Sequence, residues 1–202
     1  MAALAFACLA AVRAAETIPV PQQRPSPPAK SGEAPAYRQP GRCEADLVKT
    51  GAAFKAAPPA EAAGTLCAIA SPVEISMLPG GVLLEPPALL DCPTALTVAK
   101  FVEGWIQPLA VRHLGSRIQQ IRQDSAFVCR PRNGTSKMSE HAFGRAIDMA
   151  SFTTATGLAV PVMAMPKDRE VEASFLTAVR AAACGPFATV LGQGFLGYGA
   201  AA

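Results

Sequence analysis

Ser139-Glu140-His141-Ala142-Phe143-Gly144-Arg145-Ala146-Ile147-Asp148-Met149-Ala150-Ser151-Phe152 is the stretch whose reading decides the fold. A histidine and an aspartate stand on either side of a glycine, and the residues after Gly144 read as a strand. Alternation along that strand puts Ala146, Asp148 and Ala150 on one face and Ile147 and Met149 on the other. Ile147 and Met149 have the bulk to fill a core, whereas Asp148 stands among small neighbours, as a metal or small ligand requires. Gly144 supplies a positive φ for a tight turn that swings His141 back over Asp148. One imidazole nitrogen and one carboxylate oxygen are two of the three protein ligands of a catalytic zinc site, whose remaining position is left for water. The same two residues also suit a buried hydrogen-bonded pair with no metal.

Upstream, Arg130-Pro131-Arg132-Asn133-Gly134-Thr135-Ser136-Lys137 is a polar loop that delivers the chain to this motif, and Ala126-Phe127-Val128-Cys129 before it has strand propensity. Leu66 to Ile75 reads as one extended, largely buried stretch, and Val82 to Pro87 as another after the Pro79-Gly80-Gly81 turn. Between them and the loop lies the strongest helix, opened by Cys92-Pro93 with Asp91 as its cap. Its apolar stripe is Ala95, Val98, Phe101, Val102, Trp105, Ile106 and Leu109. Pro108 is expected to end or kink it, leaving His113 on a final turn as a surface or capping residue rather than a ligand. Downstream, Leu158 to Val162 reads as a strand. Asp168 to Ala183 reads as a helix with Val171, Phe175, Leu176, Val179 and Ala182 on one face, and Phe187 to Leu191 as a last strand. Cys43 to Phe54 reads as a helix or an irregular arm. Together these elements predict an α+β fold, a single domain over residues 43–192.

Half of the 202 residues are hydrophobic, enough for one domain with a sizeable core. No apolar run reaches the roughly 18 residues of a membrane-spanning helix. A net charge of +3, with the basic residues scattered, argues against nucleic acid as a partner. Residues 1–15 are apolar and small up to Arg13-Ala14-Ala15-Glu16 and read as a signal peptide. Residues 16–42 carry Pro19, Pro21, Pro25, Pro27, Pro28, Pro35 and Pro40 without hydrophobic periodicity and read as a disordered linker. Beyond the leader, Cys43, Cys67, Cys92, Cys129 and Cys184 are widely spaced, which in an exported protein reads as disulfides with one thiol left over. The expected compartment is the periplasm or the exterior.

Ser139, His141, Gly144, Ala146 and Asp148, as Ser-x-His-x-x-Gly-x-Ala-x-Asp, resemble the zinc-binding motif of the D-alanyl-D-alanine carboxypeptidase and dipeptidase superfamily. That superfamily shares its fold with the hedgehog signalling domain. From about Cys43 to Leu191 the chain more closely resembles the bacterial extensin-like C-terminal domain family. Leu90-Asp91-Cys92-Pro93, Phe127-Val128-Cys129-Arg130-Pro131-Arg132-Asn133-Gly134, Ala183-Cys184-Gly185-Pro186-Phe187 and Thr189-Val190-Leu191-Gly192 carry that likeness. The resemblance implies a small, mainly antiparallel sheet packed with helices, with zinc held by His141 and Asp148. It also places Arg130 facing the substrate and its developing oxyanion; an ordinary loop arginine pairing with Glu140 or Asp148 is the alternative.

In the family a histidine-rich strand with the third zinc ligand, and a further cysteine, follow Thr-Val-Leu-Gly. Residues 193–202 here contain no histidine or carboxylate side chain and read as an atypical or truncated tail. Two ligands hold zinc weakly. The resemblance therefore implies an exported domain with a degenerate or incomplete zinc-peptidase site directed at cell-wall peptides or peptidoglycan. It would be a metallo-carboxypeptidase only if the site were completed, and inactive as it stands. The alternative is a non-catalytic wall-associated binding or structural domain on the same scaffold.

Overall fold

A computed structural model describes residues 40–61, 66–163 and 168–192; the leader 1–15, most of the linker and the tail 193–202 lie outside the described residues. Helix α1 (Pro40–Lys49) comes first, so Pro40 to Arg42, assigned to the linker by composition, form a helical first turn, where proline is tolerated. Strands β1 (Ala53–Ala56), β4 (Pro72–Leu78), β5 (Val82–Asp91), β6 (Ile118–Ser125), β7 (Asp148–Thr154) and β8 (Ala159–Pro161) form one sheet in the order β1-β4-β5-β6-β7-β8. β2 (Ala60–Glu61) and β3 (Ala68–Ile69) pair separately. Every neighbouring pair in the large sheet is antiparallel except β5 and β6. Parallel neighbours need a long crossover. Here α2 (Cys92–Phe101) and α3 (Gln107–Leu114) provide it. The fold is the expected single-domain α+β fold with a mainly antiparallel sheet.

Alternation decides which way the sheet faces. Val73 and Ile75 of β4 are buried while Glu74 and Ser76 are exposed; on β5 Val82 and Leu84 are buried while Leu83 and Glu85 are exposed. The buried set joins Leu47 of α1, Ala95 and Val98 of α2, Ile121 of β6, Phe152 of β7 and Phe175 of α4 (Glu170–Ala183) in one core. Phe152 and Phe175 meet edge to face at 5.4 Å, a favoured aromatic geometry. Asp91 caps α2 as expected, its Oδ1 accepting from the Thr94 amide at 2.8 Å.

The structure departs from the sequence reading in several places, each with a local cause. The apolar stripe does not run straight through Pro108: a π turn over Val102–Ile106 separates α2 from α3. The extra residue in that turn shifts the helical phase by one position. Ile106 is buried as expected and Ala110 joins it in the core, while Trp105 is 51% exposed and Leu109 is half-buried. Pro108 then sits in the first turn of α3, where its missing amide costs little. The extended stretch Leu66–Ile75 is broken, with Ala68–Ile69 pairing with β2 and Pro72 onward joining the main sheet. The strand before the polar loop is Ile118–Ser125, and Ala126–Cys129 lies outside it. No strand forms over Phe187–Leu191. Instead the Phe187 amide donates back to the Ala183 carbonyl at 3.0 Å and its ring packs edge to face on Phe101. Val171, near the start of α4, faces solvent.

Disulfides join Cys43 to Cys92 and Cys67 to Cys129, and Cys184 is a free, exposed thiol. Alkylation of the unreduced protein followed by mass spectrometry is expected to label Cys184 alone among these five. The buried Gln107 side chain holds the start of β6, its Nε2 donating to the Ile118 carbonyl at 2.8 Å and its Oε1 accepting from the Ile118 amide at 3.0 Å. Gln107→Leu removes both bonds and leaves a buried N–H without that partner. Urea unfolding is expected to show a loss of about 1–3 kcal/mol.

Candidate functional site

The site is built around one short turn. Ser139 caps a 3-10 turn over Glu140–Phe143, its Oγ accepting from the His141 amide at 3.4 Å. Gly144 closes the turn in the left-handed conformation, φ 64°, with its amide donating to the His141 carbonyl at 3.1 Å. The Arg145 amide returns to the Glu140 carbonyl, so Arg145–Ile147 finish the turn and the strand begins only at Asp148. The alternation expected for that strand holds where it matters: Ile147 and Met149 pack against the core, and Asp148 is exposed.

This turn brings His141 and Asp148 together. His141 Nε2 lies 3.4 Å from Asp148 Oδ2. On the other side of the ring, Nδ1 lies 2.6 Å from the Ala126 carbonyl oxygen, with Ser125 Oγ at 3.4 Å. A carbonyl can only accept, so Nδ1 carries the proton and Nε2 is the nitrogen presented to Asp148. The histidine is buried and the carboxylate is 58% exposed at its side chain, so the pair looks outward from a fixed base. A hydrogen bond from the ring to Asp148 is the largest cause holding the His141 pKa above its ordinary value. Burial works against that shift, the Ala126 carbonyl and the charge of Asp148 add to it, and the charge of Arg130 opposes it.

Arg130 belongs to an arm formed by residues 126–139. The Val128 amide donates to His141 O, the Ser139 amide to Arg130 O and the Arg132 amide to Lys137 O, with a bridge between Pro131 and Met138. Arg132, not Arg130, pairs with Glu140, at 3.1 Å, and the Arg130 guanidinium reaches Asn133 Oδ1 at 3.5 Å. Among the described residues Arg130 forms no ion pair with Glu140 or Asp148. His113 lies apart from this turn, on α3, and its Nδ1 meets Ser174 Oγ of α4 at 3.1 Å. Sequence reasoning missed the Ala126 carbonyl and Ser125, the partners that orient the ring; a backbone acceptor leaves no signature in side-chain identity.

The pair meets only part of what zinc requires. A ring whose Nδ1 is tied to a carbonyl and whose Nε2 points at a carboxylate is oriented as zinc-binding histidines are. A third protein ligand is the difficulty: among the described residues no group of three or more His, Cys, Asp or Glu side chains could hold a metal, and residues 193–202 contain none of these types. Among the described residues zinc therefore finds no complete site.

The raised pKa of His141 has a definite sign in stability. Because the folded value lies above the unfolded one, the stabilisation is complete below the ordinary histidine value of about 6.5 and is lost as pH rises through the folded value. The gap in urea midpoint between the native chain and His141→Gln is expected to be wider near pH 6 than near pH 9, as read by tryptophan emission or circular dichroism. A gap that stays constant or widens with pH would refute the assignment.

The family model described as extensin-like protein C-terminus matches residues 41–196. No curated protein and no solved structure matches the chain. The family match spans both disulfides, the whole sheet and the His141–Asp148 turn, well over half of the 202 residues, and the chain belongs to the extensin-like C-terminal domain family.

Proposed function

We propose that this is an exported domain, related to the D-alanyl-D-alanine carboxypeptidases and hedgehog signalling domains, that binds cell-wall peptides at an incomplete zinc-peptidase site without cleaving them. The observation that carries the reading is the His141 ring: Nδ1 is fixed at 2.6 Å on the Ala126 carbonyl and Nε2 faces Asp148, a ligand-ready orientation with no third ligand among the described residues. Two disulfides support export, since such bonds persist in oxidising compartments.

The chain's own groups favour holding a peptide over hydrolysing one. Both ring nitrogens of His141 already have partners, Nδ1 the Ala126 carbonyl and Nε2 the Asp148 carboxylate. Arg130, on the arm beside it, has its guanidinium on Asn133 among the described residues and can take a peptide carboxylate through paired N–H donors. The backbone of the arm is tied at Cys129, next to Arg130, by the bond to Cys67. In a completed site zinc would supply a Lewis acid and an acidified water; His141 and Asp148 would occupy two of its positions.

The test is elemental analysis after dialysis together with muropeptide binding and hydrolysis, for the native chain, Arg130→Ala and Asp148→Ala. Expected are substoichiometric zinc, no turnover, and muropeptide binding that weakens in both variants. Stoichiometric zinc with turnover, both lost in Asp148→Ala, would overturn the reading by revealing a completed catalytic site. Absence of any muropeptide binding would overturn it in the other direction.

A further inference from the structure

A second site stands on the crossover helices, remote in sequence from the His141 turn. The π turn at Val102–Ile106 turns Trp105 out of the core, against the apolar periodicity of its own helix. π turns inside helices occur frequently at functional positions. Thr97, Lys100, Phe101, Trp105 and Pro186 line an open cavity of about 230 Å³. Phe101 is buried and its ring meets that of Phe187 at right angles, 5.4 Å between centroids. Thr97 Oγ1 donates to the Pro93 carbonyl at 2.9 Å, which leaves its lone pairs to accept. Among the described residues the Lys100 ammonium forms no ion pair and the Trp105 indole N–H no hydrogen bond.

The chemistry of this cavity selects one kind of occupant. An exposed aromatic face takes a flat, weakly polar ring surface; a hydroxyl acceptor and an indole N–H take ring hydroxyls or amides; a free ammonium at the rim takes an anion. The volume falls below the roughly 300 Å³ at which drug-sized pockets begin, so it suits one ring and not two. We infer that this cavity binds a single pyranose ring bearing a carboxylate, stacked on Trp105 with its carboxylate at Lys100. The choice of a wall glycan as the source rests on the proposed cell-wall role. The recognition chemistry does not.

The chain contains one tryptophan, so its emission reports on this cavity directly. The full chain is titrated with N-acetylmuramic acid, which carries a lactyl carboxylate, and with N-acetylglucosamine, the same ring without it. Expected is a saturable change in emission with both sugars, stronger binding of the acid, and a loss of that preference in Lys100→Gln, whose affinity for the acid falls roughly two- to five-fold, as for an exposed ion pair. Trp105→Ala, followed by calorimetry and checked for folding by circular dichroism, is expected to lose binding of both. Asp148→Ala is expected to leave the titration unchanged, which separates this site from the wall-peptide site: failure of muropeptide binding at His141–Asp148 would not alter these curves. No saturable response to either sugar would overturn the inference, as would equal affinity for both sugars in the native chain. Native emission shielded from iodide and exposed by removing residues 193–202 would also overturn it, by showing that the chain's own tail covers the cavity.

Discussion

The seat of Gly144 is the constraint on which the site depends. Its left-handed φ would strain any residue with a side chain, and the space is closed as well. A Cβ there would meet Ile69 Cδ1 at 2.6 Å and the Asp91 amide nitrogen at 2.7 Å. The approach is this close because the Asp91 amide donates to the Gly144 carbonyl at 2.9 Å. Asp91 in turn ends β5, caps α2 through Thr94, and brings Oδ2 within 3.8 Å of Arg145 Nε. The next residue, Cys92, donates its amide to the Ser71 carbonyl and is bonded to Cys43 of α1. One glycine thus docks the turn onto a junction where a strand, two helices and a disulfide already meet. His141 and Asp148 face each other because they flank that docked residue.

The second disulfide fixes the other wall of the site. Cys67 precedes β3, whose Ile69 lies under Gly144, and Cys129 sits at the base of the arm that carries Arg130. A cross-link closing a loop of this length removes denatured-state entropy worth about 4 kcal/mol in the chain-entropy model. Its local effect is positional: the arm, the turn and the start of β7 are held by backbone hydrogen bonds and covalent bonds, to which the exposed Arg132–Glu140 pair and the Arg145–Asp91 contact add charge. Such exposed pairs contribute little to stability. The site is therefore preorganised by its scaffold, which favours binding because little side-chain or loop entropy remains to be lost.

Much of this was legible in the residues. Gly144 announced its own turn, Asp91-Cys92-Pro93 announced a helix start, and Ile147 and Met149 separated the core side from Asp148. The parts that were not legible share physical causes. The ring of His141 is oriented by a backbone carbonyl, which every residue possesses and no residue type marks. The π turn was hidden because Trp105 and Ile106 are both apolar, so the sequence permits two phases of the same stripe; Pro108 signalled a disturbance without saying which phase wins. Phe127 and Val128 have strand propensity, but their place between a disulfide and the His141 turn overrides it. Around Phe187 a long-range ring contact with Phe101 does the same.

What the His141–Asp148 pair does follows from what competes for Nε2. A metal held by two ligands must displace the ring proton, and with it a hydrogen bond to Asp148, without a third donor to compensate. Nε2 already has a partner in Asp148, and that contact, with the Ala126 carbonyl, raises the His141 pKa. A protonated ring beside its carboxylate is locally neutral, so the charge that a ligand meets is set by the groups around it. Arg132 is offset by Glu140, and Arg145 stands near Asp91. Arg130 and Lys137, both on the arm, form no ion pair among the described residues. On the proposed reading it is the carboxylate end of a wall peptide, not its scissile bond, that Arg130 beside this pair is placed to hold.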